Sequence, residues 1–142
     1  MVKKKLSFYF KCSLVLLPLS LVKLIKSLNI DIPKLPYPYK FINKDNLNYE
    51  GNIPSYYFYN EIIKYEEYLE LSNKFNNKIW NLKNETIKYL KNDVNALYEI
   101  ISKFSKEFYE LESIDITKSV SISSLALKIF LANYYNQKKN TN

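Results

Sequence analysis

The strongest constraint on the fold is a long helical pattern of apolar residues in the second half of the chain. The apolar positions are Val94, Leu97, Ile100, Ile101 and Phe104. Their spacing matches the 3.6 residues of a helical turn and places these side chains on one face. Asn84 is of a residue type that caps the exposed amides at a helix start. The sequence therefore predicts one amphipathic helix over residues 84–109.

Shorter patterns predict the remaining regular structure. Apolar residues recur at helical spacing among polar ones over residues 19–28, 60–76 and 121–135. Ser55 precedes the second of these ranges and is a candidate cap. Residues 6–10 alternate apolar and polar side chains, which predicts the one well-defined strand. The expected fold class is α+β and mostly helical.

Residues 32–54 form a connector of different character. It contains Pro33, Pro36, Pro38 and Pro54, which exclude a regular helix, and it contains Gly51, the single glycine of the chain. Four aromatic residues lie in it, and their expected role is to pack over a neighbouring core rather than to bind a ligand. These aromatic residues are Tyr37, Tyr39, Phe41 and Tyr49.

Composition excludes several classes of chemistry. The chain has no histidine and one cysteine, Cys12. Nucleophile pairs that need histidine, histidine metal sites and cysteine metal clusters are therefore excluded within the chain, and so is an intrachain disulfide. Any metal chemistry must use carboxylate oxygens. The formal net charge of +7 suits a phosphate backbone or an anionic membrane surface and selects neither by itself.

The N-terminal segment allows two interpretations. Lys3, Lys4 and Lys5 precede an apolar run over residues 14–22, an order that is typical of a secretory signal or a membrane anchor. Pro18 interrupts the run, which is also shorter than the roughly 20 apolar residues of a membrane span. The favoured interpretation is the strand at 6–10 followed by the helix at 19–28.

Tyr89 and Asp93 form the pattern Tyr-x-x-x-Asp within the predicted long helix. Residues four apart lie one above the other on a helix, so the phenol and the carboxylate share one face. In a site that hydrolyses phosphodiesters, such an aspartate holds a divalent metal while the phenol reaches the attacking water or the scissile phosphate. Taken alone the pattern is weak evidence, because a helix with a half-buried tyrosine, a solvated aspartate and no catalytic role has the same sequence pattern.

The order of several motifs along the chain strengthens the nuclease interpretation. Residues 13–18 read Ser-Leu-Val-Leu-Leu-Pro, residues 34–39 read Lys-Leu-Pro-Tyr-Pro-Tyr, and residues 47–54 read Leu-Asn-Tyr-Glu-Gly-Asn-Ile-Pro. Together with residues 89–93 they resemble, in order, the exonuclease region of protein-primed family B DNA polymerases of the mitochondrial linear plasmid type. The resemblance covers nearly the whole chain.

The resemblance implies a set of roles. Ser13 and Leu14 correspond to residues that contact the single-stranded 3′ end, Lys34 to a lysine that assists the exonuclease reaction, and Tyr89 with Asp93 to the third exonuclease motif. Asp93 would be a ligand of Mg²⁺ or Mn²⁺ in a complete site. The implied fold is an RNase-H-like exonuclease domain. The implied partners are DNA, a terminal protein primer and other fragments of the same polymerase, and the implied location is the mitochondrion.

Residues 1–136 are expected to form only part of that domain, with a loose tail at 137–142. The other exonuclease carboxylates belong to family motifs upstream of this region, and no acidic residue precedes Asp31. Most of the sheet and the polymerase motifs are also missing. A chain with one candidate metal carboxylate is therefore expected to be inactive alone.

Two other functions stay open from the sequence. One is a small basic helical protein that is held at a membrane by its N-terminus. The other is a nucleic-acid-binding module without catalysis, which would use lysines and tyrosines and lose affinity steeply with salt.

Overall fold

The computed structural model describes residues 10–135 and shows a mostly helical chain with a small sheet. The regular elements are α1 (Ser13–Leu16), α2 (Leu21–Ser27), β1 (Glu50–Gly51), α3 (Tyr65–Lys74), β2 (Trp80–Asn81), α4 (Leu82–Glu112) and α5 (Ile122–Phe130). Short 3-10 turns lie at Tyr39–Phe41, Tyr56–Phe58 and Ile116–Lys118, and a wider π-type turn lies at Leu131–Tyr135. The predicted tail at 137–142, and all but the last residue of the strand predicted at 6–10, lie outside the described residues.

The chain divides into two compact units. Among the described residues, unit 1 comprises 10–29 and 99–135, and unit 2 comprises 30–98. The boundary within the second half falls inside α4, so this helix contributes residues to both units. Each unit is described by itself below.

Unit 2 is built around an aromatic core beside a two-stranded antiparallel sheet. Gly51 pairs with Trp80, and Glu50 pairs with Asn81. The buried core residues are Tyr37, Trp80, Leu82 and Tyr89, and the half-buried residues packed on them are Leu35, Phe41, Ile42, Tyr49, Ile53 and Phe75. The predicted packing role of the connector aromatics is confirmed for Tyr37, Phe41 and Tyr49. The sequence patterns did not predict this sheet.

The long helix α4 confirms the strongest sequence prediction and corrects its boundaries. It begins at Leu82 and ends at Glu112. The cap is Asn81, whose Oδ1 accepts a hydrogen bond from the backbone N–H of Asn84 at 2.9 Å. Assigning the cap to Asn84 was therefore wrong, because Asn84 is the donor of this bond and lies inside the first turn.

The other helices are shorter than predicted. The helix expected over residues 60–76 is confined to α3, which begins where Glu67 Oε2 accepts from the backbone N–H of Lys64 at 2.9 Å. Ser55 makes no side-chain cap and precedes the 3-10 turn at Tyr56–Phe58. The helix expected over 121–135 has Ser121 as its cap and gives way to the π-type turn after Phe130.

Unit 1 contains α1, α2, the C-terminal part of α4, the 3-10 turn Ile116–Lys118 and α5. Its buried apolar side chains are Leu16, Leu17, Leu24, Ile100, Ile116 and Leu125. Ser20 Oγ accepts from the backbone N–H of Lys23 at 3.4 Å and caps α2, which confirms a short helix within the predicted range 19–28.

The fold class is consistent with the predicted α+β class, since the chain is mostly helical with one small sheet. An RNase-H-like arrangement stays a prediction. In the part of the chain that the structure describes, no helix is both long enough and apolar enough to cross a membrane.

Candidate functional site

Tyr89 is the centre of the candidate site in unit 2. Its side chain is only 7% exposed on α4. The ring of Tyr37 stacks on it, with ring centroids 4.6 Å apart and planes 18° apart. Tyr37 is held in turn by a 2.5 Å hydrogen bond between its hydroxyl and Thr86 Oγ1, and Thr86 lies one turn before Tyr89 on the same helix. The Tyr89 ring is therefore fixed in position by the proline-rich connector.

Tyr39 reaches the same phenol from the connector. Its hydroxyl is hydrogen bonded to the Tyr89 hydroxyl, and the two rings meet edge to face with centroids 5.8 Å apart. The Tyr39 side chain is 53% exposed, so it connects the buried phenol with solvent. The expectation that Tyr39 only packs over the core was incomplete. Its place five residues after Lys34, between a proline and the basic Lys40, was the sequence signal available.

Lys34 lies beside Tyr89, and its part in the exonuclease reaction stays a prediction. Its exposed ammonium is 5.8 Å from the centroid of the Tyr89 ring, which is within cation–π range. The preceding residue is anchored to α4, since Asn92 Nδ2 donates a 2.9 Å hydrogen bond to the backbone carbonyl of Pro33. The connector and the helix therefore bring Lys34 and Tyr89 together from distant parts of the sequence.

Asp93 lies one helical turn beyond Tyr89. One of its carboxylate oxygens, Oδ1, is buried and has no hydrogen-bond partner in the protein. A buried carboxylate oxygen without a partner is costly, so this atom fits a metal ligand. Among the described residues no group of three acidic or cysteine side chains is placed to hold a metal ion. Asp93 can therefore supply one ligand, and further carboxylates would have to come from elsewhere.

Ser13 and Leu14 belong to unit 1. They are the first two residues of α1, where Ser13 is half-buried and the Leu14 side chain is 59% exposed. The structure thus groups Lys34, Tyr89 and Asp93 within unit 2 and describes Ser13 and Leu14 within unit 1. An exposed leucine is available for contact with a base, and this role stays a prediction.

The family model for organellar and viral DNA polymerase type B matches residues 1–141 of this chain. The chain belongs to this family. A relative from Neurospora intermedia named "Probable DNA polymerase" is 42% identical over 138 residues, which are 93% of this chain and 14% of the relative. A relative of the same name from Agaricus bitorquis is 34% identical over 135 residues, 95% of this chain and 17% of the relative.

This family B polymerase chain thus spans a small part of the length of the curated relatives that it matches. A third relative named "Probable DNA polymerase", from Ascobolus immersus, is 37% identical over 139 residues, which are 94% of this chain and 12% of the relative. No solved structure shows a significant match to the chain. The predicted membership of family B is confirmed.

The environment of Tyr89 keeps its phenol protonated. Burial raises the pKa of Tyr89 above its ordinary value of 10.0, and the Asp93 carboxylate and the Tyr39 hydroxyl raise it further. The phenol of this polymerase chain is therefore a hydrogen-bond donor across the neutral range.

We expect the stability of the chain to fall above about pH 10, and to fall less steeply in Tyr89→Phe. The unfolded phenol ionises near its ordinary pKa, whereas the pKa of the folded phenol is raised. The unfolded state then binds fewer protons than the folded state, so the free energy of unfolding declines as pH rises. Urea denaturation of both proteins between about pH 9 and 11 measures the two slopes. Equal slopes would contradict this reading of the site.

Proposed function

We propose that this chain forms the C-terminal half of the 3′–5′ exonuclease domain of a family B DNA polymerase. The observation that carries the proposal is the group formed by Lys34, Tyr89 and Asp93, which brings a cation, a protonated phenol and a carboxylate with an unpartnered oxygen to one place on α4. In metal-dependent hydrolysis of a phosphodiester, carboxylates hold the cations, and a hydrogen-bond donor and a positive charge stabilise the charge that develops on the phosphate.

Each side chain has a separate role in the proposed reaction. Asp93 would be one of the ligands that hold a divalent cation. When bound, Mg²⁺ or Mn²⁺ supplies Lewis-acid activation of water and of the phosphate. The phenol of Tyr89 donates a hydrogen bond to the attacking water or to the scissile phosphate. Tyr37 and Tyr39 keep this phenol in a fixed position. The exposed Lys34 places positive charge beside the Tyr89 ring, where it stabilises the negative charge that develops on the phosphate oxygens.

The contacts with the DNA strand are proposed from the resemblance and from the exposure of the Leu14 side chain. Ser13 and Leu14 hold the single-stranded 3′ end, the hydroxyl at a phosphate and the apolar side chain against a base. The polymerase is of the protein-primed type, with a terminal protein as primer, and it is encoded by a linear plasmid and works in the mitochondrion. This part of the proposal rests on the resemblance of the motif order along the chain.

A chain of these 142 residues is expected to show no exonuclease activity by itself. One carboxylate cannot hold the cations that the reaction requires, and the described residues offer no cluster of three metal-binding side chains. The measurement is incubation of the purified chain with a 5′-labelled single strand and Mg²⁺ or Mn²⁺, followed by analysis of product length. Metal-dependent shortening that Asp93→Ala abolishes would contradict the prediction of inactivity.

A further inference from the structure

Unit 1 contains an open cleft between the C-terminal part of α4 and the 3-10 turn Ile116–Lys118. Its lining residues carry polar or charged end groups, although the surface that they present also includes much of the apolar part of their side chains. The lining residues are Ser102, Ser105, Lys106, Tyr109, Asp115 and Lys118. The first four lie at helical spacing on one face of α4, so their side chains project into the cleft together.

The cleft presents the groups that bind a phosphate. Three hydroxyls, two from serines and one from Tyr109, and two ammonium groups supply hydrogen-bond donors, and the lysines add positive charge. The side chain of Lys118 is 77% exposed and that of Tyr109 is 59% exposed. The exposed Tyr109 ring also offers a surface on which a base can stack.

Positive charge is concentrated at the turn that forms one wall. Lys11 Nζ donates to the carbonyls of Thr117 and Ser119, and Lys128 Nζ donates to the carbonyl of Lys118 at 2.6 Å. With the two lining lysines, four ammonium groups therefore lie in or around the cleft. These four lysines outnumber the one carboxylate of the lining, Asp115, which favours the approach of an anion.

Asp115 is the one carboxylate in the lining, and it is bound by its own turn. Its Oδ1 accepts from Thr117 N at 2.9 Å and from Thr117 Oγ1 at 2.6 Å, and Lys118 Nζ is 3.8 Å from its Oδ2. The Thr117 hydrogen bonds and the nearby lysines hold the pKa of Asp115 below its ordinary value. The carboxylate therefore fixes the turn that presents Lys118.

We propose that this cleft binds a phosphate of a single DNA strand, with an adjacent base stacked on Tyr109. The donors lie on an open, exposed face rather than in an enclosed pocket, which suits a polymer that passes across the surface better than a free nucleotide. The site goes beyond the proposed exonuclease function, since it uses none of Lys34, Tyr89 or Asp93.

The test compares two double variants of the 142-residue chain that lose the same charge. Lys106→Gln with Lys118→Gln removes both cleft ammonium groups. Lys23→Gln with Lys103→Gln removes two lysines of the same unit that do not line the cleft, one of them paired with Glu107 at 4.0 Å. Binding of a fluorescein-labelled oligothymidylate is followed by fluorescence anisotropy over a range of salt concentrations. Far-ultraviolet circular dichroism checks that both variants stay folded.

The cleft variant is expected to bind about tenfold more weakly at about 0.1 M salt. The slope of its log affinity against log salt concentration is expected to be shallower by about 1.4, or about 0.7 for each lysine removed. The matched variant is expected to lose less than about threefold. Equal losses in the two variants would overturn the proposal, because only net charge would then matter.

A neutral variant and a competitor make the test specific. Ser102→Ala with Ser105→Ala is expected to weaken binding about fivefold and leave the salt dependence unchanged, since it removes hydrogen bonds and no charge. Binding that is unchanged in this variant would overturn the assignment of a phosphate to the cleft. Displacement of the strand by inorganic phosphate below about 1 mM would show that free phosphate is the ligand and would overturn the assignment to a strand. The readout here is strand binding, whereas the exonuclease proposal is read out as metal-dependent strand shortening, so failure of one proposal is distinguishable from failure of the other.

Discussion

Asp93→Ala is expected to lower metal-dependent removal of nucleotides from a 3′ end by at least about a thousand-fold, measured in a chimera that carries this chain in place of the matching segment of the Neurospora intermedia relative. The buried Oδ1 of Asp93 has no hydrogen-bond partner in the protein, which is the observation behind its proposed role as a metal ligand. Loss of a metal ligand removes transition-state stabilisation of about 4 kcal/mol or more, and each 1.4 kcal/mol is about tenfold in rate.

Glu99→Ala is the matched control for this prediction. It removes a carboxylate from the same helix at an exposed position that takes no part in the candidate site. We expect the Glu99 variant to retain full exonuclease activity. Comparable losses in both variants, or no loss in Asp93→Ala, would show that the Tyr-x-x-x-Asp pattern is structural only.

Trp80→Ala is expected to destabilise the chain by roughly 3–5 kcal/mol. Trp80 is 2% exposed and packs edge to face on Phe41, with ring centroids 6.0 Å apart, and against Tyr49 at 5.9 Å. Removing the indole leaves a cavity where the two strands meet the aromatic core. Urea denaturation followed by far-ultraviolet circular dichroism measures the change, since the variant lacks the tryptophan that fluorescence would use.

Ile79→Ala provides the comparison for Trp80. Ile79 is the preceding residue and its side chain is 71% exposed, so truncation leaves no cavity. The expected change in the free energy of unfolding is within about 0.5 kcal/mol. Equal losses in the free energy of unfolding for the two substitutions would contradict the packing described for the aromatic core.

The sequence predicted α4 because periodicity is a local property. Val94, Leu97 and Ile100 repeat at helical spacing, and no distant contact is needed to read that pattern. The start was misplaced because asparagine lies at both 81 and 84, and only the hydrogen bond from Asn84 N to Asn81 Oδ1 decides between them. The end at Glu112 likewise lies beyond the periodic stripe.

The sheet could not be predicted because its pairing is distant in sequence. Glu50–Gly51 and Trp80–Asn81 are two-residue strands, too short to show alternation of apolar and polar side chains. What holds them together is the burial of Trp80 and its aromatic neighbours, a tertiary effect that local propensity does not contain.

The resemblance named residues of the candidate site but did not give their arrangement in space. The resemblance named Lys34, Tyr89 and Asp93, and the structure brings Lys34 to the ring of Tyr89. The hydrogen bond between Tyr39 and Tyr89 joins segments far apart in sequence, so no local pattern contains it. The roles of these residues in catalysis stay predictions until the metal-dependent reaction is measured.

The direction of strand degradation by the unmutated chimera tests most directly whether this chain completes a 3′–5′ exonuclease site. A single strand labelled at its 5′ end is incubated with Mg²⁺ and no nucleotides. We expect a ladder of labelled products that shorten stepwise from the 3′ end. A chimera that extends a primed template and yet leaves the single strand intact would show that the chain does not complete such a site.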